Sequence, residues 1–274
     1  MTSTHVSAIT GVWAWGNSVD PAVDERGRGQ ADLAPAAIAR VARTRGLQRV
    51  FLNAPWATNV GPMAVWFSDA VSTLAEAGVA VSVLGGDAGW FDQPHLAATW
   101  LTAARATSEV DSVQLDVEPW AGRPEPIDPV LLAEGYLRLI EAVRDAAGSL
   151  PIGADLPWWL ARTSYGGGTV FDALVAELDS VAIIAFSDTA DGSAGILELA
   201  GPAIRAAAAS GTPFTIGVET DTPEVAGGAQ YTFFDEGSAV LEAEAAKVRA
   251  ALEGTPGYQG VTVEHLLAWN TLRP

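Results

Sequence analysis

Two carboxylates stand two residues apart near the middle of the chain, in residues 111–120, which read DSVQLDVEPW. Side chains alternate across a strand, so a strand here would place Gln114, Asp116 and Glu118 on one face and valine and leucine on the other. Proline cannot donate to a strand ladder, so Pro119 predicts that the strand ends just after Glu118. We interpret Asp116 and Glu118 as a candidate acid–base pair at the C-terminal end of a strand.

Three roles for this acid pair are open: acid–base catalysis, binding of a divalent cation, and stabilisation of loops. Burying two acids is costly unless they are hydrogen-bonded or functional. Neighbouring like charges raise one pKa, and apolar walls raise it further, as a general acid at neutral pH requires. Gln114 is expected to orient Asp116 by a hydrogen bond. Catalysis is the favoured role.

Strand and helix patterns alternate along the whole chain. The predicted strands are residues 9–15, 49–53, 79–84, 111–118, 151–155, 180–186, 213–219 and 265–269. The predicted helices are residues 35–45, 63–77, 93–107, 129–147, 171–178, 196–209 and 238–252. Apolar strands separated by amphipathic helices indicate a parallel sheet covered on its outside. About eight such units predict an α/β fold, a single (β/α)8 TIM barrel with residues 1–274 as one domain; an open doubly wound sheet is the alternative.

A TIM barrel carries its active site at the C-terminal ends of its strands. Glu219, which ends the seventh predicted strand, is therefore a third candidate catalytic residue. The candidate substrate-binding residues at these ends are acids, amides and aromatic residues: Trp13, Asn53, Trp56, Asp87, Trp90, Gln114, Trp120, Asp155, Trp158, Phe186, Asp188 and Trp269. Several tryptophans together would form a flat apolar wall for a ring-shaped ligand, although any one of them could belong to the core.

Charge and composition limit the partners. The chain has 33 acidic and 15 basic residues and a net charge of −18, so we expect no nucleic-acid partner. No apolar run has the roughly 18 residues of a membrane helix, and the first residues lack the basic and apolar regions of a secretory signal. We expect a cytoplasmic protein with a small-molecule or carbohydrate substrate and no membrane partner; the oligomeric state stays open.

Motifs for cofactors are missing from the sequence. It has no HExxH, no phosphate-binding loop and no cysteine, which excludes disulfides and thiol chemistry. His5, His95 and His265 are too scattered to form a ligand set, and we interpret all three as structural or surface residues. We therefore expect neither a metal nor another cofactor.

Residues 111–118 resemble, in register, the signature DG-x-D-x-D-x-E on the fourth strand of family 18 glycoside hydrolases, the chitinase-like barrels. This resemblance implies that Glu118 is the general acid. It also implies that Asp116 supports the acetamido group of the substrate. Three further places agree in chain order: SVLGG at 82–86 resembles SxGG with one residue extra, IAFSD at 184–188 falls where M-x-Y-D lies, and Trp269 falls where the family has the tryptophan floor of its sugar site.

The sequence departs from this family at three positions. Gln114 replaces the first aspartate, Ser112 replaces the glycine, and Phe186 stands where the family has a tyrosine. That tyrosine hydroxyl helps the family hold its reaction intermediate, and phenylalanine has none. The chain is therefore identified as a divergent relative.

A second resemblance is to barrels of the cellulase-like clan. Residues 117–119, VEP, resemble their N-E-P, with Val117 in place of the asparagine. This resemblance implies that Glu118 is again the acid and that Glu219 is the nucleophile. The two comparisons differ only in the partner that they give to Glu118.

Three functions follow as hypotheses. The first is a glycosidase-type hydrolase that cleaves a small glycoside. The second is an intracellular enzyme that reuses the same acid to cyclise or isomerise an apolar metabolite, which Phe186 and the ten tryptophans favour. The third is a non-catalytic sugar-binding barrel, and the presence of Glu118 argues against this function. Fold analogy does not choose among them.

Overall fold

The computed structural model describes residues 7–274, so His5 lies outside the described residues. Its strands follow one another around a closed barrel: β1 (Ile9–Ala14), β2 (Arg49–Asn53), β3 (Ala80–Gly85), β4 (Ser112–Leu115), β5 (Ile152–Pro157), β6 (Ser180–Ile184), β7 (Phe214–Glu219) and β8 (Tyr258–Glu264). All neighbours pair in parallel, and β8 returns to β1. The predicted TIM barrel is confirmed, and the open doubly wound sheet is excluded.

Helices follow the strands, and all but the four-residue α7 bury side chains. They are α1 (Pro35–Arg45), α2 (Gly61–Glu76), α3 (Pro94–Thr107), α4 (Pro129–Ala147), α5 (Val170–Val175), α6 (Ile196–Ser210), α7 (Pro223–Ala226), α8 (Ser238–Leu252) and α9 (Leu266–Thr271). A two-stranded hairpin, Ser164–Tyr165 with Gly168–Thr169, lies between β5 and α5. Within residues 7–274, no helix combines the length and the apolarity needed to cross a bilayer.

Two apolar cores result from the alternation along each strand. The outer core lies between sheet and helices, where Val113 and Leu115 of β4 are buried. The inner core fills the barrel and consists of Trp13, Phe51, Leu84 and Ala182. The rings of Trp13 and Phe51 stack in it with centroids 5.5 Å apart. This inner layer separates the C-terminal ends of the strands, here called the mouth, from their N-terminal ends, here called the base.

The central strand is shorter than predicted. β4 ends at Leu115, so Asp116 and Glu118 lie on the loop that follows it, and Pro119 is not what ends the strand. The backbone N–H of Asp116 still donates to Gly85, at 3.0 Å, but the carbonyl of Val117 accepts from the hydroxyl of Tyr136. A side chain of α4 has thus taken the place of the neighbouring strand.

The last strand was predicted in the wrong place. β8 is Tyr258–Glu264, and residues 266–269 of the predicted strand belong to α9 instead. His265 caps this helix, because its Nδ1 accepts from the N–H of Leu267 at 3.2 Å, and does not open a strand. Trp269 consequently lies on a helix.

Candidate active site

Acids from four strand ends meet at the mouth. Asp116 follows β4, while Asp155, Glu219 and Glu264 belong to β5, β7 and β8. Burial first, and then the charges of Asp116, Glu219 and Asp155, raise the pKa of Glu264 well above its usual value. The sequence analysis missed Glu264 because it misplaced β8; the alternating β-branched residues VTV before it were the available signal.

Asp155 is the buried centre of a hydrogen-bond network. Gln114 Nε2 donates to its Oδ1 at 2.7 Å, and Trp13 Nε1 donates to its Oδ2 at 3.1 Å. Burial, followed by the charge of Asp116, raises the pKa of Asp155 well above its usual value. Two expectations are therefore corrected: Gln114 orients Asp155 rather than Asp116, and Trp13 lies buried beneath the mouth instead of forming a wall of it.

Asp116 and Glu118 differ in exposure. Asp116 is half-buried, and burial together with the charge of Glu118 raises its pKa to about 7. Glu118 is exposed towards solvent, yet the protein around it raises its pKa against the opposing effect of a hydrogen bond from Trp120. At neutral pH the pair therefore combines an accessible carboxyl with a neighbour that holds a proton in part of the molecules.

Close approaches hold the Asp116 backbone in place. A Cβ on Gly86 would lie 1.8 Å from the carbonyl oxygen of Asp116, so the loop after β3 can pass there only without a side chain. A Cβ on Gly85 would lie 2.4 Å from the Trp100 ring. In the SVLGG stretch, Gly86 thus leaves room for the Asp116 backbone, and Gly85 leaves room for the Trp100 ring.

The turn that carries Glu118 is anchored from behind. Tyr136 is buried on α4 and binds the carbonyl of Val117. Trp120 packs against Tyr136, with ring centroids 6.4 Å apart, and edge-on against Trp159 at 4.9 Å. These contacts fix the backbone on either side of Glu118 while its side chain stays accessible.

Glu219 is buried and already engaged. Its Oε1 accepts from the backbone N–H groups of Thr220 at 2.7 Å and Asp221 at 2.8 Å. Its pKa is raised to about 7, because burial and, to a smaller extent, the charge of Asp221 outweigh these two bonds, which act in the opposite direction. Asp221 in turn contacts His265 Nε2 at 3.1 Å. Glu219 thus closes the turn after β7.

The tryptophans divide between mouth and core. Trp120 and Trp158 are half-buried, and Arg162 lies over the Trp158 ring at 4.6 Å. Trp269 is buried in the outer core, with the Arg45 guanidinium 3.8 Å from its ring centroid, so the predicted tryptophan floor of the sugar site is wrong. Trp15, which the candidate set lacked, is half-buried just after β1 and packs on the inner core.

A side cavity of about 360 Å³ adjoins the ends of β2 and β3. Four candidate residues line it: Asn53, Trp56, Asp87 and Trp90. Trp56 is half exposed, whereas Trp90 is buried against Trp100 with centroids 5.0 Å apart. Asp87 accepts from the N–H of Gly89 at 2.7 Å and so caps the 3-10 turn Ala88–Phe91.

Two further candidates lie after β6. Phe186 and Asp188 are both half-buried there. Burial raises the pKa of Asp188, and its backbone N–H donates to Gln230 at 3.1 Å. Across residues 7–274, no set of three or more histidine and carboxylate side chains is arranged to hold a metal ion.

Solved structures with the same barrel include chitinases. This chain resembles a GH18 chitinase from Pseudoalteromonas aurantia, with a TM-score of 0.55, 10% identity and 94% of each chain covered. It resembles concanavalin B with a TM-score of 0.55 and 13% identity, covering 96% of this chain and 95% of that one. A chitinase from Chromobacterium violaceum gives a TM-score of 0.53 and 14% identity over 96% of both chains. The divergent resemblance to family 18 barrels is thereby confirmed for the fold.

No family model matches the chain, and no curated protein matches it.

Proposed function

We propose that this protein is a glycoside hydrolase-like enzyme in which Glu118 is the general acid for cleavage of a small glycoside. The observation that carries the proposal is the exposed carboxyl of Glu118 beside half-buried Asp116, whose pKa is raised to about 7. A general acid must be accessible to the leaving-group oxygen and must hold its proton near neutral pH. Glu118 is accessible, and its pKa is shifted in the required direction.

The chemistry follows from these positions. Glu118 gives its proton to the glycosidic oxygen as the bond from the anomeric carbon to that oxygen breaks. In the family 18 resemblance, the acetamido oxygen of the substrate then bonds to the anomeric carbon, and Asp116 supports that group. Water then attacks the same carbon, the bond from that carbon to the acetamido oxygen breaks, and a proton of the water returns to Glu118. The substrate supplies the nucleophile, so Asp116 only stabilises charge.

Asp155 supports this role of Asp116. Gln114 stands where the family has an acid, but the neighbouring strand β5 supplies Asp155, whose pKa is raised by the charge of Asp116. Because Gln114 and Trp13 both donate to Asp155, its carboxyl has a fixed orientation. A charged carboxylate close to a second carboxyl favours retention of a proton on one of the two.

Asp116 is a better partner for Glu118 than Glu219 is. The charge of Glu118 raises the pKa of Asp116, whereas the charge that acts on Glu219 is that of Asp221. One carboxylate oxygen of Glu219 is also occupied by two backbone N–H groups. A nucleophile needs a free oxygen aimed at the anomeric carbon.

A second candidate function is acid-catalysed cyclisation or isomerisation of an apolar metabolite. It is favoured by Phe186, which brings no hydroxyl to the mouth, and by the aromatic group of Trp120 and Trp159 beside Glu118. A non-catalytic sugar-binding barrel is the third candidate.

The test is a panel of chromogenic glycosides with and without a 2-acetamido group. The wild-type chain, Glu118→Gln and the exposed loop control Glu125→Gln are compared. Release of the chromophore by wild type and control but not by Glu118→Gln supports the proposal. Binding of N-acetylglucosamine oligomers without turnover favours the sugar-binding barrel. Activity that is equal in all three chains contradicts the assignment of Glu118.

A further inference from the structure

A second cavity opens at the base of the barrel, on the far side of the inner core from the mouth. Its volume is about 580 Å³, within the range of small-ligand sites. Its lining comes from the first residues of the strands, such as Thr10, Arg49, Ser112, Ser180 and Tyr258. TIM barrels fill their interior with bulky branched side chains. Here small hydroxyl side chains take that place and leave the space open.

Arg49 is the cation of this cavity. It is half-buried, and its Nη1 donates to the hydroxyls of Ser82 and Ser112, both at 2.8 Å. Its Nε and Nη2 groups donate to no acceptor within residues 7–274, and no carboxylate of that range lies within ion-pair distance of Arg49. The free edge of a guanidinium is the face that binds a carboxylate or phosphate through two parallel bonds.

The hydroxyls around Arg49 are held in defined positions. Ser82 and Ser112 also bond one another at 2.6 Å, and Thr262 donates to Thr215 at 3.0 Å on the other side of the cavity. All four of these residues lie on strands, so the donors sit on a rigid frame. A rigid set of donors around an unpaired charge is the arrangement that a bound anion requires.

Two acids also line the cavity, and both are engaged elsewhere. Asp111 accepts from the backbone N–H of Val81 at 2.7 Å. Asp179 accepts from the N–H of Ile152 at 2.8 Å and contacts Arg144 at 3.4 Å. Neither acid forms an ion pair with Arg49, although the charge of Asp111 acts on its guanidinium from beyond ion-pair distance.

We propose that the cavity at the base binds a small oxyanion, a carboxylate or a phosphate, on the free edge of Arg49 with the serine and threonine hydroxyls as further donors. A half-buried guanidinium without an ion pair is costly, and an anion in the cavity removes that cost. The site is separate from the mouth, so it does not depend on the reaction proposed there.

Calorimetric titration of the full chain in low-salt buffer tests the proposal, with inorganic phosphate in one arm and succinate in the other. The wild type should bind one of them at a single site, and the arm that responds identifies the source of the oxyanion. Arg49→Met should weaken binding at least about tenfold, since hydrogen bonds to charged groups are lost. Arg49→Lys keeps the charge but loses the planar fork, and it should weaken binding less.

A surface variant is the control for this result. Arg40→Met removes a charge from the exposed face of α1, outside the lining of the cavity. It should bind the anion as the wild type does. The proposal is overturned if neither anion binds, or if Arg40→Met weakens binding as much as Arg49→Met does. If Arg49→Met does not fold, unchanged affinity in Arg49→Lys with Ser112→Ala overturns it as well.

Discussion

Gln114 donates its amide to Asp155, at 2.7 Å, and not to Asp116, which lies two residues further along the chain. The bond joins β4 to its neighbour β5 inside the barrel. Asp116, two residues after Gln114, is thus left free at the mouth. Asp155, by contrast, is held by this hydrogen bond between two strands. The catalytic proposal depends on this division between Asp116 and Asp155.

Replacing Gln114 by Met should destabilise the fold. The change keeps the side-chain length but removes the donor to Asp155 Oδ1, which is buried. We expect the free energy of unfolding, measured with urea at pH 7, to fall by about 1–3 kcal/mol. Gln230→Met, on the exposed surface, is the control and should change little. Equal stability of the two variants would show that the bond contributes nothing.

Asp116→Asn and Glu219→Gln separate the two possible partners of Glu118. Asp116→Asn should lower kcat strongly on any substrate that the wild type turns over. Glu219→Gln should lower it much less, because the amide oxygen of glutamine can still accept from Thr220 and Asp221. Glu118→Gln should lower kcat by about a hundredfold or more. An inactive Glu219→Gln beside a fully active Asp116→Asn would reverse the choice of partner.

Stability should fall as the pH rises through the range in which Asp116 keeps its proton. Its pKa in the folded chain is raised to about 7, so between about pH 4 and pH 7 the folded chain holds a proton that the unfolded chain has lost. Each such group lowers the unfolding free energy by up to about 1.4 kcal/mol per pH unit. Asp116→Asn should therefore gain stability relative to the wild type as the pH rises from 5 to 7. The free energies of unfolding of both proteins are measured with urea at pH 5 and at pH 7. The same difference between Asp116→Asn and the wild type at both pH values would contradict this prediction.

Gly86→Ala should damage both fold and activity. The added methyl would lie 1.8 Å from the carbonyl oxygen of Asp116, and a backbone atom cannot move aside cheaply. We expect a loss of about 1–3 kcal/mol in the unfolding free energy and a displaced Asp116. Gly201→Ala on α6 is the matched control and should stabilise the chain by up to about 1 kcal/mol. The melting temperatures of both variants should shift in opposite directions.

Turnover should not depend on added metal. Within the described residues, the acids at the mouth are not arranged as a metal-binding group. We expect the same rate with EDTA, with EDTA followed by excess Mg²⁺, and without either. A rate that disappears with EDTA and returns with Mg²⁺ or Mn²⁺ would assign Asp116, Asp155 and Glu219 to a carboxylate metal site.

The sequence predicted most of the fold because the barrel depends on local patterns. Residues 129–147 form a helix with the predicted ends, where Asp128 accepts from Val130 at 2.9 Å and Gly148 follows the last turn. β8 was missed for a local reason as well. Gly260 interrupts its apolar pattern, and the short run LLAW after it fits a strand and a helix equally well by periodicity.

The site was harder to predict because its contacts join distant residues. The predicted strand ends were sufficient to predict that Asp116, Glu118 and Asp155 lie at the mouth. The hydrogen bond from Gln114 to Asp155 joins residues that are 41 positions apart, and no periodic pattern in the sequence predicts it. The burial of Trp269 depends in the same way on how α9 packs against the barrel.

The inner core formed by Trp13, Phe51, Leu84 and Ala182 also limits how a substrate is handled. Its side chains are buried, so no passage runs along the barrel axis. A polymer therefore cannot thread through this protein, and a long chain must lie across the open face. In the proposed hydrolase, both fragments of a cleaved chain would therefore leave by the side from which the substrate entered.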